Sequence, residues 1–127
     1  MLAGLAACFG RKKPTTIKDL DENMMDLRIY QENLGDLIKE GKLTDAAWLA
    51  NGMDSLLQVM ANTFPEHRKL SNSFLWFYNR KLKDPVKGIR KSVAGNDTAA
   101  ARQHYRVLIR RCNSCHIDHD IDKEIKY

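Results

Sequence analysis

Residues 98–119 read TAAARQHYRVLIRRCNSCHIDH, and two patterns are superposed in them. Ala101, Tyr105, Leu108, Cys112 and Cys115 recur at three- and four-residue steps, the period of one face of an α-helix. The same stretch contains Cys112-Asn113-Ser114-Cys115-His116, a C-x-x-C-H run. Both cysteines therefore fall on the inward stripe, one helical turn apart. C-x-x-C-H is the attachment pattern of haem c. Two thiols at that spacing can each add to a vinyl group of the porphyrin, and the histidine directly after the second reaches the iron as proximal ligand. Two other chemistries use similar residues: zinc on Cys112, Cys115 and His116 or His119, and a redox disulfide between the thiols. Zinc lacks a clear fourth ligand, and a thioredoxin-like pair belongs beside a βαβ pattern that is absent here. The expected cofactor is one covalent haem c, held by Cys112 and Cys115, with His116 on the iron.

Working back from this helix, the chain reads as helix after helix. Ile17, Leu20, Met24, Leu27, Leu34 and Ile38 recur at helical spacing after Thr15 or Thr16 as cap, with Gln31 the one polar entry on the seam. Gly41 ends that helix. A second, with Thr44 expected as its N-cap, carries Ala46, Leu49, Met53, Leu56, Leu57 and Met60 to a stop at Phe64-Pro65. Ser71 or Ser73 caps a third through Phe74 to Leu82, and Asp84-Pro85 is expected to kink it or to start a new helix with Pro85 at its first position. Val86, Ile89 and Val93 continue the apolar face to Gly95-Asn96, and Asp97 or Thr98 caps the last helix. No alternating strand pattern with paired turn signals is present. Four helices with short loops predict an all-α, antiparallel four-helix bundle.

The N-terminus carries a different message. Residues 1–10, MLAGLAACFG, are apolar and uncharged, and Arg11-Lys12-Lys13-Pro14 then turns basic. Leu5-Ala6-Ala7-Cys8 looks like a bacterial lipobox, whose cysteine would be lipidated. A cleavable signal remnant is the other reading of so short a match, since a basic n-region and a longer h-region are missing. Residues 1–14 are thus expected to be a signal-peptide or lipoprotein-type segment, and 15–127 the bundle. If Cys8 is acylated, the basic cluster adds attraction to anionic headgroups. Elsewhere no apolar run approaches the length of a membrane span. The 127 residues suffice for one core and not two. A net charge of +5 favours acidic partners or anionic surfaces.

Taken together these features resemble the cytochrome c-prime superfamily, four-helix c-type cytochromes with C-x-x-C-H near the C-terminus. The resemblance spans roughly 15–119 and includes Lys39-Glu40-Gly41, Asp45-Ala46-Ala47, Phe64-Pro65 and Gly95-Asn96-Asp97. It implies haem c, export to the periplasm, and control of the sixth iron position by a residue of the first helix. Met24 lies on the inward seam of that helix and is expected to fill the position, as in the low-spin Met/His branch. Its neighbour Met25, about 100° away around the helix, is the alternative. The chain departs from the family at Leu20, where an arginine is common, and at Ile117-Asp118-His119-Asp120, where an aromatic-basic pair is common.

The expected function is one-electron transfer, with acidic redox proteins as partners; the resemblance also implies pairing of two copies through the first two helices. The alternative is a five-coordinate haem protein binding nitric oxide or carbon monoxide; a zinc-stapled helical adaptor is a third. No polar constellation stands out to act as acid, base or nucleophile, so catalysis is not expected. Arg102, Arg106, Arg110 and Arg111 form a basic ridge read mostly as a solvated face. Trp76, Phe77 and Tyr78 either wall the haem or fill the core. His67 and His119 read as surface residues, and His104 shares the helix of the motif and cannot reach the far face of the porphyrin. Basic and aromatic residues interleave between His67 and Lys91 without a recognised nucleic-acid module, and nucleic acid is not an expected partner.

Overall fold

A computed structural model describes residues 17–64, 70–119 and 125, with side chains of the first helix described from residue 20. The lipobox-like segment with Cys8, the cap position at Thr15 or Thr16, Pro65 and His67 lie outside these residues. The described chain is all-helical and forms four helices: α1 (Ile17–Glu40), α2 (Leu43–Thr63), α3 and α4 (Thr98–Asp118). α3 is built of α-helical Phe74–Phe77, a π-helical segment Tyr78–Leu82 and α-helical Lys83–Ala94. Each helix packs on its neighbour in sequence, and α1 also meets α4, which closes the ring of the bundle. Among the described residues no helix is long and apolar enough to cross a membrane.

The periodic stripes become the core. Leu34, Ile38, Ala46, Ala50, Met60, Ile89, Ala101 and Tyr105 are completely inaccessible to solvent. Gly41 at φ +74 supplies the left-handed residue that ends α1. Ser73 accepts from the Trp76 N–H and Asp97 from the Ala100 N–H, capping α3 and α4. Thr44 does not cap α2, contrary to expectation. The Ala46 N–H bonds the Lys42 carbonyl at 3.0 Å, so the first turn closes two residues earlier and buries Leu43. Burial of an apolar side chain outweighs the cap that Thr44 could have given.

Pro85 does not stand at the first position of a helix, as one of the two expectations had it. It is the third residue of Lys83–Ala94, and the helix runs into it through the π segment. The Lys83 N–H bonds the Tyr78 carbonyl, an i→i−5 step that widens the turn ahead of the proline ring. Proline has no N–H for the Lys81 carbonyl, its partner four residues back. Arg111 supplies one instead: its Nη1 donates to that oxygen at 2.9 Å. Arg102 does the same at the end of α1, with Nη2 2.8 Å from the Lys39 carbonyl. Of the basic ridge, Arg102 thus caps α1 and Arg111 bonds a carbonyl inside α3, so these two tie α4 to neighbouring helices.

Two polar connections cross the interior. Between α1 and α4, the Tyr105 hydroxyl donates to the Gln31 carbonyl at 2.8 Å and accepts from Gln31 Nε2 at 2.7 Å. The hydroxyl lies over Gly35, where a Cβ would come within 2.5 Å of it, so only glycine lets the helices approach there. Between α2 and α3, the carboxylate of Asp54, 6% exposed, accepts from the Tyr78 hydroxyl at 2.8 Å, Arg90 Nη1 at 2.9 Å and Gln58 Nε2 at 2.9 Å. Arg90 Nε continues to Asn51 Oδ1. Three donors satisfy a carboxylate that would otherwise be costly to bury.

Burial, reinforced by the Asp54 carboxylate, pushes the Tyr78 phenol up to about 12 from 10. The folded state therefore favours the neutral phenol. That contribution is complete below pH 10 and is lost as pH rises through about 12. Tyr78→Phe is expected to flatten the loss of stability across this window, at a cost of about 1–2 kcal/mol near neutrality for the missing hydrogen bond. Urea midpoints followed from pH 7 to 12 test this. Parallel pH profiles for both proteins would show that Tyr78 does not titrate differently on folding.

Candidate haem attachment site

The C-x-x-C-H turn occupies the C-terminal end of α4, where the inward stripe leaves the sealed core. Tyr105 and Leu108 are buried, whereas Cys112, Cys115 and His116 are half-buried. Cys112 still packs against the core. The two thiols are free and protonated at neutral pH. Burial, and then the neighbouring Cys115, push Cys112 up to about 12; burial and then Asp118 raise Cys115. Reactive redox cysteines have thiols shifted in the opposite direction, so the environment disfavours a thioredoxin-like role. Among the described residues no three His, Cys, Asp or Glu side chains gather at metal-ligand spacing.

α1 faces this turn in antiparallel register, fixed by the Tyr105–Gln31 pair. Cys112 lies seven residues beyond Tyr105, and Met24 seven residues before Gln31. Equal rise per residue brings Met24 level with the motif. Leu20 is buried there, and Met24 and Leu27 are partly buried against the core. Met25 points elsewhere, 65% exposed. The two adjacent methionines are thus separated by the bundle into an inner and an outer one.

The third wall comes from the start of α3. Phe77 is buried, and its ring meets His119 edge-on at 5.2 Å and Trp76 at 5.0 Å. Tyr78 turns away toward Asp54 and α2. His119 is not the surface residue its sequence position suggested. Its Nε2 accepts from the Ser71 N–H at 3.1 Å and lies 3.2 Å from the Ser71 hydroxyl. The ring proton therefore sits on Nδ1, which donates to the Cys115 carbonyl at 2.8 Å and stands 3.7 Å from the Cys115 sulfur. One imidazole ties the end of the motif helix to the segment entering α3. The signal for it was present in the sequence: His119 follows Cys115 by four residues and so shares its face.

Asn113, inside the motif, exchanges two hydrogen bonds with the backbone of Ile125, at 2.8 Å to its carbonyl and 2.7 Å from its N–H. One of the two variable positions of C-x-x-C-H thus binds the backbone of Ile125. Comparison with protein-family models, curated proteins and solved structures found no match.

Proposed function

We propose that this protein is a monohaem c-type cytochrome that carries single electrons, related in build to the cytochrome c-prime superfamily. Cys112 and Cys115 would hold the haem as thioethers, each S–H adding across a vinyl group with no leaving group, and His116 would be the proximal ligand. The residues fit such a group. Two thiols one turn apart, an imidazole beside them, and a thioether on the facing helix at the same level form a complete donor set. The observation that carries the reading is this pairing of a half-buried C-x-x-C-H turn with Met24, while Met25 is turned out to solvent. When bound, the haem supplies a one-electron couple, and methionine as sixth ligand raises its potential.

Around it, this chain's residues have separate tasks. Leu20, Leu27 and Phe77 exclude water on the side of α1 and α3; the Gln31–Tyr105 pair fixes the level of α1 against α4. Attachment of this kind takes place outside the cytoplasmic membrane in bacteria, so the reading implies a periplasmic protein, tethered if Cys8 is lipidated. Exposed Trp48 and Val59 on α2, at 81% and 55%, support pairing of two copies through the first two helices. Optical spectra of the purified protein, oxidised and reduced, test the function. Low-spin spectra in both states, on haem that resists acid-acetone, are expected. Spectra that are high-spin in both states would replace electron transfer with the binding of a small gas, and stoichiometric zinc without haem would remove the cytochrome reading.

A further inference from the structure

The bundle is electrically divided. α1 and α2 together carry three lysines and arginines against nine aspartates and glutamates, whereas α3 and α4 carry ten against two. Opposite charges at this ratio on two halves of a small domain give a strong dipole that orients an approaching charged molecule. The basic half is also the half that bears the C-x-x-C-H turn.

Within it one place differs from the rest. The Arg80 guanidinium stacks over the Trp76 ring, 5.3 Å from its centroid, with the indole half-buried and Arg80 exposed. Trp76 is also the outer end of a chain of contacts from the motif: Cys115 sulfur to His119 at 3.7 Å, His119 to Phe77 at 5.2 Å, Phe77 to Trp76 at 5.0 Å. Tryptophan and arginine are both among the residue types enriched at the points that carry interface energy. Here it lies on the basic half, and packed rings link it to the proposed haem site.

We infer that Trp76 and Arg80 form the docking point for an acidic electron-transfer protein, an inference that rests on the cytochrome reading above. Charge on α3 and α4 steers the partner, and the indole supplies the contact that holds it. The exchange moves one electron: the partner is oxidised, this protein is reduced, and no bond forms or breaks. A protein fits this face better than a lipid surface does. Apart from Leu75 and Ala94, the exposed positions of α3 are polar or charged, so the helix lacks the apolar stripe that enters a bilayer.

The test uses reduced flavodoxin as an acidic one-electron donor, with both its affinity for the oxidised protein and its second-order rate measured across ionic strength. Arg80→Gln is expected to weaken binding and slow transfer about threefold at low salt, the difference vanishing at high salt, as for a rim charge. Trp76→Leu is expected to weaken binding about tenfold at every salt concentration. Lys91→Gln, at the far end of α3, is the control and should change neither by more than the loss of one distant charge. Optical spectrum and reduction potential should stay at wild-type values in all three. Equal losses in all three variants, or none in the first two, would overturn the docking point. So would binding to phosphatidylglycerol vesicles that depends on Arg80 while flavodoxin binding does not. A haem-free protein is recognised from its spectrum beforehand and removes the cytochrome reading itself. Binding of flavodoxin lost in the Trp76 and Arg80 variants of a protein with intact haem is the supporting result.

Discussion

Cys112→Ala combined with Cys115→Ala is expected to leave no haem after acid-acetone extraction. In the proposed site the thioethers would be the only covalent links, and His116 alone would hold a porphyrin by one exchangeable bond. Each single variant should keep one link, so a stain for covalent haem on a denaturing gel should read wild type, reduced, reduced and absent across the series. The loss should also reach the fold. Cys112 packs against the core, and the stripe beyond Leu108 is only half-buried, so without the porphyrin this end of the bundle has less to close on. The double variant is expected to melt well below the wild type, with fraying at the end of α4 where His119 and Ser71 meet. Protection of amide hydrogens should fall there and persist around Tyr105. Full haem retention in the double variant would show that another group holds it.

The second large effect concerns spin state. Met24→Ala is expected to turn a low-spin spectrum high-spin, to remove the weak near-infrared sulfur-to-iron band, and to open the iron to carbon monoxide. Met25→Ala should do none of these. The contrast rests on helix geometry: neighbouring side chains point about 100° apart, and the bundle turns one inward and leaves the other 65% exposed. Alanine at position 24 removes the thioether and leaves space beside Leu20 and Leu27, so some loss of stability should accompany the change. Met24→Leu separates the two effects, because it restores bulk without a ligand atom and should remain high-spin. A low-spin Met24→Leu protein would assign the sixth position to another residue.

Much of this was legible in the sequence because the chemistry involved is local. The stripe from Leu20 to Ile38 and the run from Ala101 to Cys115 declare their helices, since burial of one face at helical spacing needs no knowledge of the partner. Gly41, Ser73 and Asp97 mark their turns because a left-handed residue and a capping oxygen act on their own neighbours. The C-x-x-C-H motif likewise puts two thiols and an imidazole on one turn of one helix.

What the sequence left open depended on groups distant along the chain. Where the helix around Pro85 begins was set by the π turn ahead of it, and Arg111, from α4, reaches the carbonyl to which proline cannot donate. Nothing local to Asp54 marks it for burial, and Tyr78 and Arg90, brought across from α3, join Gln58 in making that burial tolerable. His119 became part of the site because Ser71, in the segment entering α3, meets it from far along the chain. The choice between an inner Met24 and an outer Met25 was set by how α1 rotates in the bundle, and Tyr105 over Gly35 holds that rotation. Periodicity determines which face of a helix is buried; only packing against the other helices determines what that face meets.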